Sequence, residues 1–278
     1  MVNEERDHVL PYITFLVHVF TMSLYDENPS ANLRFCASLP DGRILASCHS
    51  RNAVIIADAE GNEMGKLEAN FSHPEGIAVA EDKIYVVDRH HHCIHVFKTS
   101  SLDHESTIGS PGSCPGQFNQ PVGIAVSTVD KRIWIADNEN HRVQALGEDG
   151  RIFGSYGTEP GQFFCPCGIA LYVHPVHGEL VIVSEWGGGR VQVLRATDGS
   201  VYSVFGGVNH AHSVAVDGGG IVYVSNYAER KVQRFSITGE WKAFSKSVVS
   251  LDAQGLLVFQ NGLHRSEENG KKKRRRRV

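Results

Sequence analysis

Short runs of Val, Ile and aromatic residues, separated by Gly, Asp and other polar turn formers, fill most of the 278-residue chain. No stretch sustains a helical period, so the pattern predicts short strands. The runs recur in a fixed order. Gly76-Ile77-Ala78-Val79 returns as Gly123-Ile124-Ala125-Val126, Gly168-Ile169-Ala170-Leu171 and Ser213-Val214-Ala215-Val216, at spacings of 47, 45 and 45 residues. A second run follows each of these at Ile84–Val87, Ile133–Ala136, Leu180–Val183 and Ile221–Val224. A third lies at Ile94–Phe97, Val143–Leu146, Val191–Leu194 and Val232–Phe235. Asp149-Gly150, Asp198-Gly199 and Thr238-Gly239 then introduce a fourth.

A lone four-stranded sheet cannot bury both faces, so such units must stack, and radial stacking gives a β-propeller. The small residues of the first run suit inner strands crowded around a central channel. Blades are expected at 33–70, 74–108, 121–157, 166–206 and 211–245. Residues 247–260 hold only two strand-like runs, while Val17–Ser23 resembles Ile94–Ser100. The expectation is therefore an all-β, six-bladed propeller over 12–260, whose last blade joins 247–260 to closing strands at 12–25. Such closure would remove exposed sheet edges.

Charge divides the chain. Seven basic residues fill Lys271–Arg277, and without them 20 Lys and Arg face 31 Asp and Glu. The body is acidic and has no general attraction for phosphate backbones. The basic cluster within a polar tail at 264–278 predicts disorder and resembles a nuclear import signal. Six cysteines are sparse for a disulfide framework of this size and suit reduced thiols, so a cytoplasmic or nuclear location is expected. The apolar run Val9–Leu24 is interrupted by Pro11 and His18 and is too short for a membrane helix, so no transmembrane segment is expected. The acids between Asn3 and His8 are wrong for a secretory leader.

Pro115-Gly116-Gln117-Phe118 leads through Pro121 into Gly123-Ile124-Ala125-Val126, and Ile135-Ala136-Asp137-Asn138-Glu139-Asn140-His141-Arg142-Val143-Gln144 follows. This sequence resembles the NHL repeat family, and Pro160-Gly161-Gln162-Phe163 repeats the linker. The resemblance implies the propeller fold but several activities. These are protein- or RNA-binding ends of RING-containing ubiquitin ligases, extracellular sensor modules and a peptidyl-hydroxyglycine amidating lyase. These 278 residues contain no paired Cys-x-x-Cys motifs to hold a RING zinc.

Asp137 and Arg142 suit a structural role in fixing a hairpin, with Asn138 and Glu139 at its tip. His90-His91-His92-Cys93 looks metal-binding, but adjacent strand residues point to opposite faces, so a solvated hairpin tip is the default. Cys165-Pro166-Cys167 lacks a second pair and reads as structural or incidental thiols. The lyase resemblance implies three histidines from different blades at inner-strand starts. Here those positions read Glu75, Val122, Cys167 and His212, a set one histidine long, so no enzyme activity and no cofactor are expected. His212, His91 and Cys93 remain the weak metal candidates.

The hairpins after second strands and the loops leading into first strands should share one end of the ring. That end is expected to expose Glu75, Arg89, His90, Asn138, Glu139, Glu185, Trp186, His212, Asn226 and Tyr227. Trp186 and Tyr227 are the expected interface anchors. The functional expectation is a monomeric, noncatalytic scaffold binding a protein or peptide, a candidate substrate-recognition module for a ubiquitin ligase. RNA binding is the first alternative and a divergent metal-dependent lyase the second.

Overall fold

The computed structural model describes residues 33–229, 231–242, 249–251 and 257–259. Four sheets are antiparallel four-stranded meanders. Blade one comprises β1 (Leu33–Ser38), β2 (Ile44–Cys48), β3 (Ala53–Ala57) and β4 (Glu63–Lys66). Blade two comprises β5 (Pro74–Ala80), β6 (Lys83–Asp88), β7 (Cys93–Lys98) and β8 (His104–Ile108). Blade three is β9 (Pro121–Val126), β10 (Ile133–Asp137), β11 (Arg142–Leu146) and β12 (Arg151–Phe153). Blade four is β13 (Pro166–His174), β14 (Gly178–Glu185), β15 (Arg190–Arg195) and β16 (Val201–Gly206). Blade five has β17 (Ala211–Val216), β18 (Ile221–Asn226) and β19 (Lys231–Ser236) among the described residues, with a Phe235–Trp241 antiparallel bridge beyond β19.

Among the described residues the propeller has five blades, which corrects the expected six. β20 (Val249–Leu251) and β21 (Leu257–Phe259), among the described residues, pair with each other as a two-stranded sheet. Three-residue strands offer too little ladder and too little apolar face to make a blade. The expected closing strands at 12–25 and the tail at 264–278 lie outside the described residues.

The core lies between the blades. Ile94 and Val87 of blade two meet Ile124 and Ile135 of blade three around Phe118 of the linker. Trp134, Val143 and Phe163 meet Ile169, Val181 and Val183 across the next interface. Strand alternation sends one face to each neighbour, which is why β2 and most of β14 are buried along their length. Phe118 and Phe163 are fully buried, and each wedge contributes roughly 1.5–3 kcal/mol.

The repeated glycine of the first strand has a specific cause. A Cβ on Gly123 would lie 2.3 Å from Cys167 O and 2.9 Å from Ile169 N, both backbone atoms of the next inner strand. Gly76 stands in the same relation to Val122 O at 2.6 Å, and Gly168 to His212 O at 2.5 Å. Neighbouring inner strands therefore approach too closely for any side chain. Gly123→Ala should cost about 1–3 kcal/mol through overpacking against rigid backbone, measured as a lower urea midpoint with an unchanged m-value.

Candidate binding site at the loop-rich end

Each second strand ends on the same structural position, occupied in turn by Cys48, Asp88, Asp137, Glu185 and Asn226. Asp137 shows what the position does. Its Oδ2 accepts hydrogen bonds from Arg142 Nε at 2.8 Å, Asn140 Nδ2 at 2.9 Å and Gln144 Nε2 at 3.0 Å. Its Oδ1 accepts from Asn119 N at 2.7 Å. Arg142 and Gln144 then donate to Gln117 O at 3.0 and 2.7 Å, so the box grips the Pro-Gly-Gln-Phe linker. Glu185, Arg190 and Gln192 repeat the arrangement on Gln162. Asp137 and Glu185 are fully buried, and a guanidinium and several hydrogen-bond donors surround each of them.

The residue after that position forms a second set: His49, Arg89, Asn138, Trp186 and Tyr227. Four of these reach forward to the next blade. His49 Nε2 lies 2.8 Å from Glu75 Oε1, close but not aligned as a hydrogen bond. Arg89 Nε donates to Gln120 Oε1 at 3.1 Å, and Asn138 Nδ2 to Pro166 O at 2.9 Å. Trp186 stacks on His210 at 4.6 Å and meets His212 edge-on at 5.8 Å. A parallel series holds the backbone just before β5, β9 and β13. Asn52 Oδ1 accepts from His73 N, His92 Nδ1 from Gln120 N, and His141 Nδ1 from Cys165 N. His73, Gln120 and Cys165 all have φ between 49° and 59°, a left-handed conformation costly for non-glycine residues, which these cross-blade bonds help hold.

A third set, Arg34, Glu75, Val122, Cys167 and His212, stands second in each inner strand. Glu75, Cys167 and His212 are buried. Burial pushes the Glu75 carboxyl up, but His49, His212 and Arg34 outweigh it and hold the group below its ordinary value. Arg89 Nη1 adds a cation 3.6 Å from Glu75 Oε1. Burial also lowers His212 to about 4 and raises the Cys167 thiol. Phe35 of β1 lies 5.5 Å from the His212 ring, bringing blades one and five together here.

Several expected surface residues are therefore not on the surface. Glu75, Glu185 and Asn226 are inaccessible, and Asn138 and His212 retain only 5% exposure, because they serve the boxes and inner strands. Arg89, Trp186 and Tyr227 are partly exposed, and His90 and Glu139 are exposed. His90 packs on His73 at 3.9 Å. His91 and Cys93 fall on the blade-two box around Asp88, away from His212. Sequence reasoning missed Arg34 and His49. Blade one lacks the Asp-Arg-Gln signature, and only its register, with Cys48 opposite Ala53, aligns it with the others.

The NHL repeat profile matches residues 71–97 and 118–146, which are the Phe71–Phe97 part of blade two and the Phe118–Leu146 part of blade three. Two stretches of the chain thus match the NHL repeat, and both lie within a β-propeller. Solved structures share its fold at low identity. A chain of the nidogen/laminin complex matches with TM-score 0.64 and 18% identity, covering 83% of this chain and 84% of that one. A streptogramin B lyase matches with TM-score 0.58 and 17% identity over 78% and 70%. A gluconolactonase from Xanthomonas campestris matches with TM-score 0.60 and 16% identity over 80% and 78%. No curated protein matches the chain in sequence.

Two outcomes follow from these sites. Arg142→Leu orphans the buried Asp137 carboxylate and should cost about 3–5 kcal/mol in urea unfolding, whereas Glu139→Ala at the adjacent tip should cost under about 0.5 kcal/mol. For His212, the unfolded chain binds a proton near pH 6.5 and the folded chain only near pH 4. The unfolded state thus holds more protons between these values, and stability falls as pH falls through that window. The loss should approach roughly 1 kcal/mol per pH unit, and His212→Asn should flatten it in denaturant titrations run at several pH values.

Proposed function

We propose that this propeller is a noncatalytic binding module that docks a protein or peptide on its loop-rich end over Trp186 and Tyr227. One observation carries the reading. Trp186, Tyr227 and His210 form a partly exposed aromatic cluster, with Trp186 5.1 Å from Tyr227 and 4.6 Å from His210. Broad aromatic surfaces beside a polar rim are the usual anchors of protein interfaces. One neighbour of the same fold is a chain of a nidogen/laminin complex, an assembly of two proteins, which supports this reading by analogy of fold. As the recognition part of a ubiquitin ligase, this propeller would present a substrate to a RING domain.

The two alternatives have less support. An RNA-binding face needs free cations, yet Arg142 and Arg190 are spent inside their boxes, on Asp137 and Glu185. A lyase of the expected kind needs three channel histidines, and the inner-strand positions supply His212 beside Glu75, Val122 and Cys167. His210 is occupied with Trp186, and His73 with His49 and His90.

The test is affinity capture and quantitative binding with Trp186→Ala/Tyr227→Ala, beside Lys131→Ala in the turn at the opposite end. The double substitution should weaken partner binding at least about 30-fold, the value of one anchor residue, while Lys131→Ala leaves it unchanged. Equal binding by both variants, or salt-dependent RNA binding that survives the double substitution, would overturn the proposal.

A further inference from the structure

The hairpin box of blade two is built from different chemistry than those of blades three and four. At the register position opposite the carboxylate, blade three has Arg142 against Asp137 and blade four Arg190 against Glu185. Blade two has Cys93 against Asp88. Two residues on, where Gln144 and Gln192 stand, blade two has His95. Where Asn140 donates to Asp137, it has His91. Asp88 is fully buried, yet among the described residues no Lys or Arg pairs with it. The guanidinium site has been vacated and lined with imidazoles.

The imidazoles converge on the carboxylate. His91 Nδ1 lies 3.0 Å and His95 Nε2 3.4 Å from Asp88 Oδ2, and the three ligand atoms all fall within 4.8 Å of one another. A tetrahedral ion with bonds near 2.0–2.1 Å separates its ligands by roughly 3.3 Å, so small side-chain movements suffice. His95 Nδ1 faces His104 Nε2 at 3.1 Å, the outer hydrogen bond that characteristically orients a metal-bound imidazole. His91 is exposed, so an ion can reach the site from solvent.

We propose that Asp88, His91 and His95 bind one Zn²⁺, which takes the place that a guanidinium fills in the neighbouring blades. The site lies in the blade-two hairpin, at the same loop-rich end as the proposed docking surface but on a different blade from Trp186 and Tyr227, and does not depend on that assignment. Zinc fits the donor set because two neutral imidazoles and a carboxylate are its common ligands, leaving one position for water. Cys93 matters by being short and uncharged. It leaves the pocket open where arginine would close it.

The test uses the full chain without a histidine tag, titrated with Zn²⁺ by calorimetry and checked by elemental analysis after dialysis. The expected result is one equivalent of bound zinc and a zinc-dependent rise in melting temperature. Cys93→Arg/His95→Gln rebuilds the blade-three box, so it should fold, keep its melting temperature without zinc, and bind none at this site. His91→Ala, at an exposed position, should weaken binding by more than the roughly 10–100-fold that loss of an outer partner costs. Substitution of the separate His174/His177 pair should leave binding unchanged. No bound zinc in the native chain overturns the assignment. So does zinc retained by the rebuilt box, or zinc lost on substituting His174 and His177.

Discussion

A carboxylate at the end of a second strand is buried between two blades, and burying it is tolerable only if something cationic or richly hydrogen-bonding meets it. In blades three and four that requirement is met by Arg142 with Gln144 and by Arg190 with Gln192. The same side chains have donors left over, and those donors fix the linker carbonyls at Gln117 and Gln162. The linkers in turn deliver Phe118 and Phe163 into the interfaces between blades. Local electrostatics and the inter-blade core are thus one system. A polar demand at a hairpin specifies where an aromatic wedge is placed some 25 residues earlier in the chain.

The repeat, the strand assignments and the inner position of the Gly-Ile-Ala-Val runs are legible in the sequence because each has a period or a spacing. The structural role of Asp137 and Arg142 is legible for the same reason. The blade count is not, since it depends on which strands pair, and among the described residues Val249–Leu251 pairs with Leu257–Phe259 rather than with a blade. Exposure at the loop-rich end is also hard to read. Asn138 looks like a solvent-facing tip residue, but its amide donates to Pro166 O in the next blade. His49 carries no motif at all and is found only because β2 and β3 register Cys48 against Ala53.

Glycine at the inner strands and histidine at the linkers answer the same geometric problem from two sides. Gly76, Gly123 and Gly168 let adjacent backbones touch, while Asn52, His92 and His141 hold the left-handed residues that turn the chain into each inner strand. The blade-two histidines that look like a metal tract by composition divide between these tasks. His92 is a backbone clasp, whereas His91 and His95 face Asp88.

These clasps all run one way. His49, Arg89, Asn138 and Trp186 each hold the blade that follows in sequence. The circuit therefore has a polarity, like a row of people each holding the belt of the person ahead. Damage to one hairpin releases the start of the succeeding blade and leaves the preceding one still gripped from behind. In a stack whose units are stabilised by their neighbours, loosening then travels toward the C-terminal side, and the last blade in the series inherits the failures of all those before it.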